Sequence, residues 1–285
     1  MGGTLYLCAT PIGNLEDMTP RVVETLRSVD LIAAEDTRNS IKLLNHFDIH
    51  TPMTSYHEYN KVEKAKRLIE QLQGGQNIAL ITDAGTPAIS DPGEVLVRMC
   101  HENQVPVTSL PGAAACITAL TLSGLSTRRF CFEGFLPGDK KERRAVLEEL
   151  GTEPRTIILY EAPHHLTGTL DELYQRLGNR RITLCRELTK KFETVMPMDL
   201  KQASEYYHKE EPRGEYVLVI EGKNRQELRQ EAIAAWEAME IGEHMAYYES
   251  QGMDSKSAMK QVAKDRGVGK REIYAYLHRD GCGAE

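Results

Sequence analysis

The length, composition and charge of the chain bound what kind of protein it can be. Its 285 residues suggest two domains, or one large domain with an appendage, and 41% apolar residues exclude bulk disorder. A net charge of −7 excludes a protein coated in positive charge, so any contact with nucleic acid must come from local basic patches. No apolar run approaches a membrane span, no signal peptide is apparent and the six cysteines form no C-x-x-C pair, so we expect a reduced, cytoplasmic protein.

The first part of the chain alternates strand-like and helix-like segments. Strands separated by helices imply parallel pairing with right-handed crossovers. We therefore expect an α/β domain over residues 1–124. Its strand signals are the apolar runs TLYLCA, DLIAAED, QNIALIT and VPVTSL, and helical spacing follows in PRVVETLRSV, KVEKAKRLIEQLQGG, GEVLVRMCHENQ and AAACITALTLSG.

The second part repeats this theme less regularly, which predicts a second α/β domain over residues 125–222. Beyond Gly222 the sequence looks purely helical, so we expect a helical tail over residues 223–285. The strand signals of the second part are RFCFEGF, RTIILYEA, RRITLCREL and EYVLVIEG, and its helical stretches are KKERRAVLEEL and LTGTLDELYQRLG.

Six of the strand signals stop on an acidic residue. In open α/β sheets the ligand crevice lies outside the carboxyl ends of the strands, so acids at these ends would face a cleft. The alternative for any single acid is that the strand simply leaves into solvent there. The six runs are LIAAED, IALITD, FCFEG, IILYEA, ITLCRE and YVLVIE.

The common cofactor and catalytic motifs are absent from the sequence. No G-x-G-x-x-G follows a strand signal, and no P-loop motif G-x-x-x-x-G-K-[ST] occurs. No G-x-S-x-G marks a hydrolase. No H-E-x-x-H supports a zinc site, so we expect no metal.

Three turns rich in Gly and Pro remain, each directly after a strand signal. We name them the first turn (ATPIGN, 9–14), the second turn (DAGTPAISDPG, 83–93) and the third turn (SLPGAAA, 109–115). Gly permits close approach of the backbone to a ligand, and Pro rigidifies a loop so that less entropy is lost on binding. None of the turns contains Lys, which favours a ligand without a phosphate cluster. Three such turns in one domain indicate a binding site.

Seven motifs occur in this order along the chain: TPIGNLEDMTPR, LIAAEDTR, DAGTPAISDPG, LPGAAA, FEGFLP, YEAPHHL and RELTKKFE. Together they give the sequence a resemblance to a known family. It resembles the tetrapyrrole-methylase superfold and, within it, the bacterial 16S ribosomal RNA cytidine 2′-O-methyltransferases that act on cytidine 1402 of the decoding centre. The similarity covers residues 4–222, and the helical tail is similar to that family's extra C-terminal domain. Ala9 stands where the family often has Pro, and His165 stands where Arg is usual.

The resemblance implies S-adenosylmethionine (SAM) held in a cleft between the two α/β domains, a homodimer, and 16S rRNA within the small ribosomal subunit as substrate. Thr86 and Ile89 would contact the adenosine, and Tyr160 and Tyr216 of the second domain would close the cleft. The alternative for these two tyrosines is that they are core residues. The full expected cofactor set is Pro11, Ile12, Gly13, Asp83, Gly85, Thr86, Ile89, Pro111, Gly112, Ala113, Tyr160 and Tyr216.

Methyl transfer to a ribose 2′-hydroxyl needs aligned reactants and a base for a poorly acidic alcohol. We expect Glu187 to be this base, with Arg186 and Lys190 positioning the substrate; Lys190 would serve instead if burial lowered its pKa. Arg38 would bind a phosphate or orient the acidic residues beside it. The alternative is that Glu35 and Arg38 cap the next helix and pair at one-turn spacing. The other candidate bases are Glu35, Asp36, Glu133 and Glu161.

Two rival functions stay open on the sequence alone. Basic residues cluster at 140–144, 180–181 and 190–191 and in the tail, although such runs are often only solvated helix faces. The tail segment SAMKQVAKDRGVGKREIYAYL resembles a helix-turn-helix, which would fit a DNA-binding regulator whose α/β domains sense a ligand. The second rival is methylation of a corrin or another small molecule on the same fold.

Overall fold

The structure is a computed structural model that describes residues 2–278. The chain divides into two compact units between Glu221 and Gly222. The larger unit contains two five-stranded sheets, and the smaller unit is helical. The last part of the expected tail, residues 279–285 with Cys282, lies outside the described residues.

The first sheet is wholly parallel, with the strand order β3-β2-β4-β1-β5. This confirms the parallel α/β arrangement that alternating strands and helices predict. The sequence did not predict β3, which is only three half-buried residues long. The strands are β1 (Leu5–Cys8), β2 (Leu31–Ala34), β3 (Met53–Ser55), β4 (Ile78–Ile81) and β5 (Val107–Leu110).

Helices cover both faces of the first sheet. Successive residues of a strand point to opposite faces, and in β4 Leu80 packs with α3 and α4 while Ile81 packs with α1 and α2. Helix α1 begins where Thr19 accepts a hydrogen bond from the Val22 amide and Pro20 occupies the first helical position. These helices are α1 (Pro20–Ser28), α2 (Thr37–His46), α3 (Lys61–Gln73) and α4 (Gly93–Glu102).

The second sheet is mixed, with the order β6-β7-β10-β8-β9. Strands β6 and β7 are parallel, whereas β10 runs antiparallel to β7 and β8, and β9 antiparallel to β8. The sequence did not predict the edge strand β9, because Pro197 interrupts it, and Pro is tolerated in strands only at sheet edges. The strands are β6 (Phe130–Phe135), β7 (Thr156–Glu161), β8 (Arg181–Arg186), β9 (Thr194–Asp199) and β10 (Tyr216–Ile220).

Helix α5 (Ala115–Leu122) follows the first sheet in sequence but packs on the second sheet. Its Cys116, Ala119 and Leu120 are buried against Ile158 of β7 and Val217 of β10. The opposite face of the second sheet is covered by three further helices. They are α6 (Lys140–Thr152), α7 (Pro163–Leu177) and α8 (Leu200–Tyr207).

The smaller unit contains four helices, and the last three pack around Met245, Ala258, Val262 and Ile273, whereas the first contributes no buried residue. A turn at Gly267, whose φ of +66° favours glycine, joins the last two helices. Among the described residues, no helix is both long and apolar enough to span a bilayer. The helices of this unit are α9 (Arg225–Glu237), α10 (Ile241–Ser250), α11 (Ser255–Asp265) and α12 (Lys270–Leu277).

Candidate active site

The three Gly/Pro turns lie side by side at one edge of the first sheet. They follow β1, β4 and β5, and the sheet order makes β1 the neighbour of both β4 and β5. Thr10 and Gly85 exchange two backbone hydrogen bonds of 2.9 and 3.1 Å, which join the first turn to the second. The Thr86 hydroxyl donates to the Ala113 carbonyl at 2.9 Å, which joins the second turn to the third. The turns therefore form one connected wall at the edge where open α/β sheets bind ligands.

A cavity of about 570 Å³ lies beside this wall and is lined by residues of both sheets. Eleven of the residues predicted from the sequence contribute to its surface. Four of them, Glu35, Glu161, Glu187 and Lys190, are predicted catalytic residues or candidate bases. The other seven belong to the predicted cofactor set: Ile12, Asp83, Gly85, Thr86, Ile89, Tyr160 and Tyr216.

Other predicted residues support the wall rather than line the cavity. A Cβ atom on Gly13 would lie 2.4 Å from Cγ of Lys190, so glycine lets the first turn approach the β8–β9 loop (residues 187–193). A Cβ atom on Gly112 would lie 2.5 Å from Cβ of Ala9, so this glycine lets the third turn approach the first. Close packing between neighbouring loops therefore explains why both positions are glycine. The predicted residues absent from the cavity lining are Pro11, Gly13, Asp36, Arg38, Pro111, Gly112, Ala113, Glu133 and Arg186.

Strained backbone is concentrated beside the cavity. Ala88 and Ser90 in the second turn have φ values of 68° and 60°, and Glu187 and Thr189 in the β8–β9 loop have values of 50° and 63°. Residues with a Cβ rarely adopt this left-handed conformation, and it persists only where the surroundings enforce it. In the second turn, Asp91 enforces it by accepting hydrogen bonds from the Ala88 and Gly93 amides at 3.0 and 2.7 Å. Such strain clusters at functional sites.

Most of the charged side chains that line the cavity are acidic. Six carboxyl groups line it, and Lys190 is the one lysine or arginine among the described lining residues. Burial raises the pKa of Asp83 and of Asp91, and the nearby charge of Glu35 raises both further. A cavity with this balance favours a cationic ligand over an anionic one. The six acids are Glu35, Asp83, Asp91, Glu161, Glu187 and Glu215.

Glu187 and Lys190 form an ion cluster with Glu215. The Lys190 ammonium lies 3.1 Å from Oε1 of Glu187 and 2.8 Å from Oε2 of Glu215, and Oε1 of Glu187 also accepts the Glu215 amide at 2.9 Å. Burial alone would lower the pKa of Lys190, but its two carboxylate partners raise it. The condition under which Lys190 would serve as the base, a pKa lowered by burial, is therefore not met, because its partners stabilise the charged form.

The same cluster leaves Glu187 ionised at neutral pH. Burial acts to raise its pKa, but the Glu215 amide and the Lys190 ammonium outweigh burial, and the pKa is lowered. Both hydrogen bonds go to Oε1, so among the described residues Oε2 has no hydrogen-bond partner. Glu187 therefore presents one unengaged carboxylate oxygen beside the cavity, although its lowered pKa reduces its basicity.

Glu35 and Arg38 do not pair with each other. Helix α2 begins at Thr37, so Glu35 precedes the helix and instead accepts a hydrogen bond from the Thr82 hydroxyl at 2.5 Å. Asp36 is the N-cap residue, and its carboxylate holds Arg38 through Nε at 3.1 Å and Nη2 at 2.8 Å. The alternative that Glu35 and Arg38 pair at one-turn spacing is therefore wrong. The Arg38 side chain is 89% exposed and lies outside the cavity lining.

Tyr160 and Tyr216 combine the two roles that the sequence left open. Both line the cavity. The Tyr160 hydroxyl accepts the Cys116 amide at 3.2 Å, which ties β7 to helix α5. Tyr216 is buried in the core of the second sheet, and its hydroxyl accepts the Arg213 amide at 3.2 Å.

Sequence reasoning missed three residues that define the cavity. Asp91 lies in the second turn, where the sequence shows only that it is one of two acidic residues. Phe135 and Glu215 lie at the end of β6 and just before β10, and single aromatic or acidic residues at such positions carry no distinctive pattern. The described residues contain no group of three His, Cys, Asp or Glu side chains placed to hold a metal ion.

Comparison with known proteins agrees with this architecture. Residues 4–204 match the family described as tetrapyrrole (corrin/porphyrin) methylases. A relative from Halalkalibacterium halodurans, named ribosomal RNA small subunit methyltransferase I, is 50% identical over 98% of this chain and 96% of its own. A Bacillus subtilis relative of the same name is 47% identical over 97% of this chain and 94% of its own. The chain therefore belongs to the tetrapyrrole methylases, in the family of ribosomal RNA small subunit methyltransferase I.

Solved structures of lower identity share the fold. Uroporphyrin-III C-methyltransferase from Thermus thermophilus, complexed with S-adenyl homocysteine, superposes with a TM-score of 0.55 at 18% identity, covering 77% of this chain and 97% of that chain. Diphthine synthase superposes with a TM-score of 0.59 at 13% identity, covering 77% of this chain and 90% of that chain. Family membership favours a methyltransferase over a ligand-sensing regulator.

Proposed function

We propose that the protein is a SAM-dependent methyltransferase that methylates the ribose 2′-hydroxyl of cytidine 1402 in 16S rRNA. The observation that carries the proposal is the acidic cavity at the wall of three turns, in a chain 50% identical to a relative named as a small-subunit rRNA methyltransferase. The ribosomal substrate implies a cytoplasmic enzyme. We also propose a homodimer, which light scattering of the purified chain tests directly.

The cavity fits SAM in size and charge. Its volume of about 570 Å³ lies within the range of roughly 300–1,000 Å³ that small-molecule sites occupy. SAM carries a sulfonium and an ammonium group, which the acidic lining favours. Asp91 lines the cavity, and its Oδ2 is buried without a hydrogen-bond partner among the described residues, which leaves a polar atom of the wall unsatisfied. Thr86, Gly85 and Ile12 would hold the adenosine side.

SAM, when bound, would supply an activated methyl group, so the chain's own residues need only align the acceptor and take up its proton. We propose that Glu187 takes up this proton through Oε2, because the carboxylate is ionised and Lys190 holds its other oxygen. Asp83 and Glu35, on the first-sheet side of the cavity, are the next candidates, and burial raises the pKa of Asp83. Lys190 orients Glu187 in this scheme.

The substrate proposal is tested by nucleoside analysis of ribosomal RNA. Mass spectrometry of 16S rRNA from a strain lacking the gene should show loss of 2′-O-methylation at the decoding-centre cytidine, and expression of the gene should restore it. Purified protein should then transfer a labelled methyl group from SAM to small subunits of the deletion strain. An unchanged level of this nucleoside in the deletion strain would refute the proposal. Transfer to a corrin but not to rRNA would support the small-molecule alternative.

A further inference from the structure

Phe135 is an exposed aromatic residue on the surface of the cavity. It ends strand β6, lines the cavity and leaves 58% of its surface exposed to solvent. Phenylalanine is ordinarily buried, so its exposure inside a ligand cavity needs an explanation other than folding. Ile89 of the second turn, 43% exposed, is a second apolar residue lining the cavity.

The backbone is built to hold Phe135 at this place. The register of β6 against β7 shifts between Phe132 and Gly134, and such bulges re-aim the following side chain. Gly134 has a φ of +64°, and a Cβ atom there would lie 2.8 Å from the Ser90 hydroxyl oxygen. A side chain at position 134 would therefore be strained where β6 meets the second turn. Phe135 and Ile89 are the chain neighbours of Gly134 and Ser90, and both line the cavity.

One side of the Phe135 ring is supported by another aromatic residue. Phe135 pairs with Tyr160 in the strand register, and the two rings lie edge to face with centroids 5.6 Å apart. Tyr160 is itself fixed by its hydrogen bond from the Cys116 amide. The Phe135 ring is therefore held by its neighbour on one side while much of its surface stays open.

An open, supported aromatic ring suits a nucleobase. To bring its ribose to a methyl donor in the cavity, an RNA nucleotide must leave its stack, and the unstacked base then needs a new partner. Aromatic side chains supply that partner, because every base has a flat π-face. The acidic residues of the lining favour a cation instead, and a macromolecular substrate must approach where lining side chains such as Phe135 are exposed to solvent.

We propose that Phe135 stacks on the base of the nucleotide that is methylated and is thus a substrate-positioning residue. This inference rests on the proposed rRNA methyltransferase activity and adds a residue to it. Stacking on an aromatic residue is worth roughly 5- to 150-fold in binding per base. Phe135→Ala should therefore lower kcat/KM for small ribosomal subunits about tenfold or more, mainly through KM, and leave the SAM Kd within about twofold of wild type.

The experiment uses the 285-residue chain and two matched variants. Phe135→Trp keeps a flat ring and should retain kcat/KM within about threefold. Phe130→Ala removes a 38% exposed ring from the other end of β6, outside the cavity lining, and should behave as wild type. The SAM Kd is measured by calorimetry, and thermal melting verifies that each variant is folded.

Each outcome of these measurements either supports or overturns the proposed stacking of Phe135 on the base. A loss in Phe135→Ala with rescue by Phe135→Trp and an unchanged SAM Kd supports base stacking. A raised SAM Kd in Phe135→Ala would place the ring against the cofactor and overturn the inference, as would an unchanged kcat/KM. Wild-type protein that binds SAM but transfers no methyl group to rRNA would overturn the proposed function itself, and this inference with it.

Discussion

Gly13 and Lys190 touch so closely that a Cβ atom on residue 13 would lie 2.4 Å from Cγ of Lys190. This contact joins the first turn, at the edge of the first sheet, to the β8–β9 loop of the second sheet. The Asn14 amide adds a hydrogen bond of 3.1 Å to the Thr189 hydroxyl. The two sides of the cavity are therefore coupled through the backbone of the first turn, and Lys190 is placed by it.

Gly13→Ala should disturb this coupling. The added methyl group would also meet the Leu188 carbonyl oxygen at 3.0 Å, so the Lys190 side chain cannot make room by its own movement alone. We expect the free energy of unfolding to fall by about 1–3 kcal/mol, the usual range for overpacking, and methyl transfer to fall with it. Gly138→Ala is the control, because a Cβ atom there meets nothing within 4 Å. Equal denaturation midpoints for the two variants would contradict the packing role of Gly13.

Lys190→Arg tests whether Lys190 holds Glu187 or takes up protons itself. Arginine keeps the positive charge but cannot act as a base. Because the carboxylates of Glu187 and Glu215 raise the pKa of Lys190, we expect Lys190→Arg to keep kcat within about tenfold of wild type. Lys191→Arg, a change at the neighbouring position, is the matched control. A loss of a hundredfold or more in Lys190→Arg alone would restore Lys190 as the base.

Glu187→Gln tests the proposed proton acceptor. Glutamine has the shape of the carboxylate but cannot accept the proton from the ribose hydroxyl. We expect kcat to fall by about a hundredfold, the usual effect of losing a general base, while the SAM Kd and subunit binding stay near wild type. Asp83→Asn is measured in parallel. If Asp83→Asn loses turnover and Glu187→Gln does not, the proton acceptor is Asp83, on the first-sheet side of the cavity, and not Glu187.

The difference in stability between wild type and Glu187→Gln should also depend on pH. The pKa of Glu187 is lowered in the folded protein, so its contribution to stability is present above the unfolded value of about 4.3 and is lost as the pH falls through the lowered folded value. Wild type should therefore melt at a higher temperature than Glu187→Gln at pH 7, and the difference should shrink toward pH 3. Glu102→Gln, on the exposed surface of α4, should show no such convergence. A constant difference between wild type and Glu187→Gln would show that the ion cluster adds no stability.

The fold was largely predictable because short stretches of the sequence determine where its strands and turns lie. Buried parallel strands read as short apolar runs, and Gly/Pro turns mark their carboxyl ends. The placement of α5 was not predictable in this way. Its sequence, ACITALTL, is apolar on every side, so periodicity cannot tell which sheet it covers, and only the contacts of Cys116 and Ala119 show that it packs on the second sheet.

The site was predictable at the level of loops but less so at the level of roles. The second turn was correctly placed at the cavity, yet the roles of Gly13 and Gly112 depend on partners far away in sequence, Lys190 and Ala9. Spacing suggested that Arg38 would pair with Glu35, but the start of α2 at Thr37 left Asp36 as the cap. Hydrogen-bond partners set pKa values, and a single sequence does not show them.

The helical unit contains a buried histidine that should make it sensitive to acid. His244 is fully buried and stacks on Trp236, with ring centroids 4.1 Å apart and planes 5° from parallel. Its Nδ1 accepts a hydrogen bond of 3.2 Å from Nε of Arg266, which requires neutral imidazole nitrogen at that position. Burial lowers the pKa of His244, and the charge of Arg266 lowers it further, whereas Asp265 at 3.5 Å from Nε2 acts in the opposite direction.

A histidine whose pKa is lowered by folding stabilises the protein above its unfolded pKa of about 6.5, and this stability is lost as the pH falls below that value. Trp236 is the only tryptophan of the chain, so its fluorescence reports on this stack. We expect the urea midpoint followed at Trp236 to be lower at pH 5.5 than at pH 8. His244→Phe keeps an aromatic ring and should remove most of this dependence, whereas His50→Gln, at a side chain 81% exposed, should preserve it. Equal midpoints at the two pH values in wild type would show that the unfolded and folded states bind protons alike at His244.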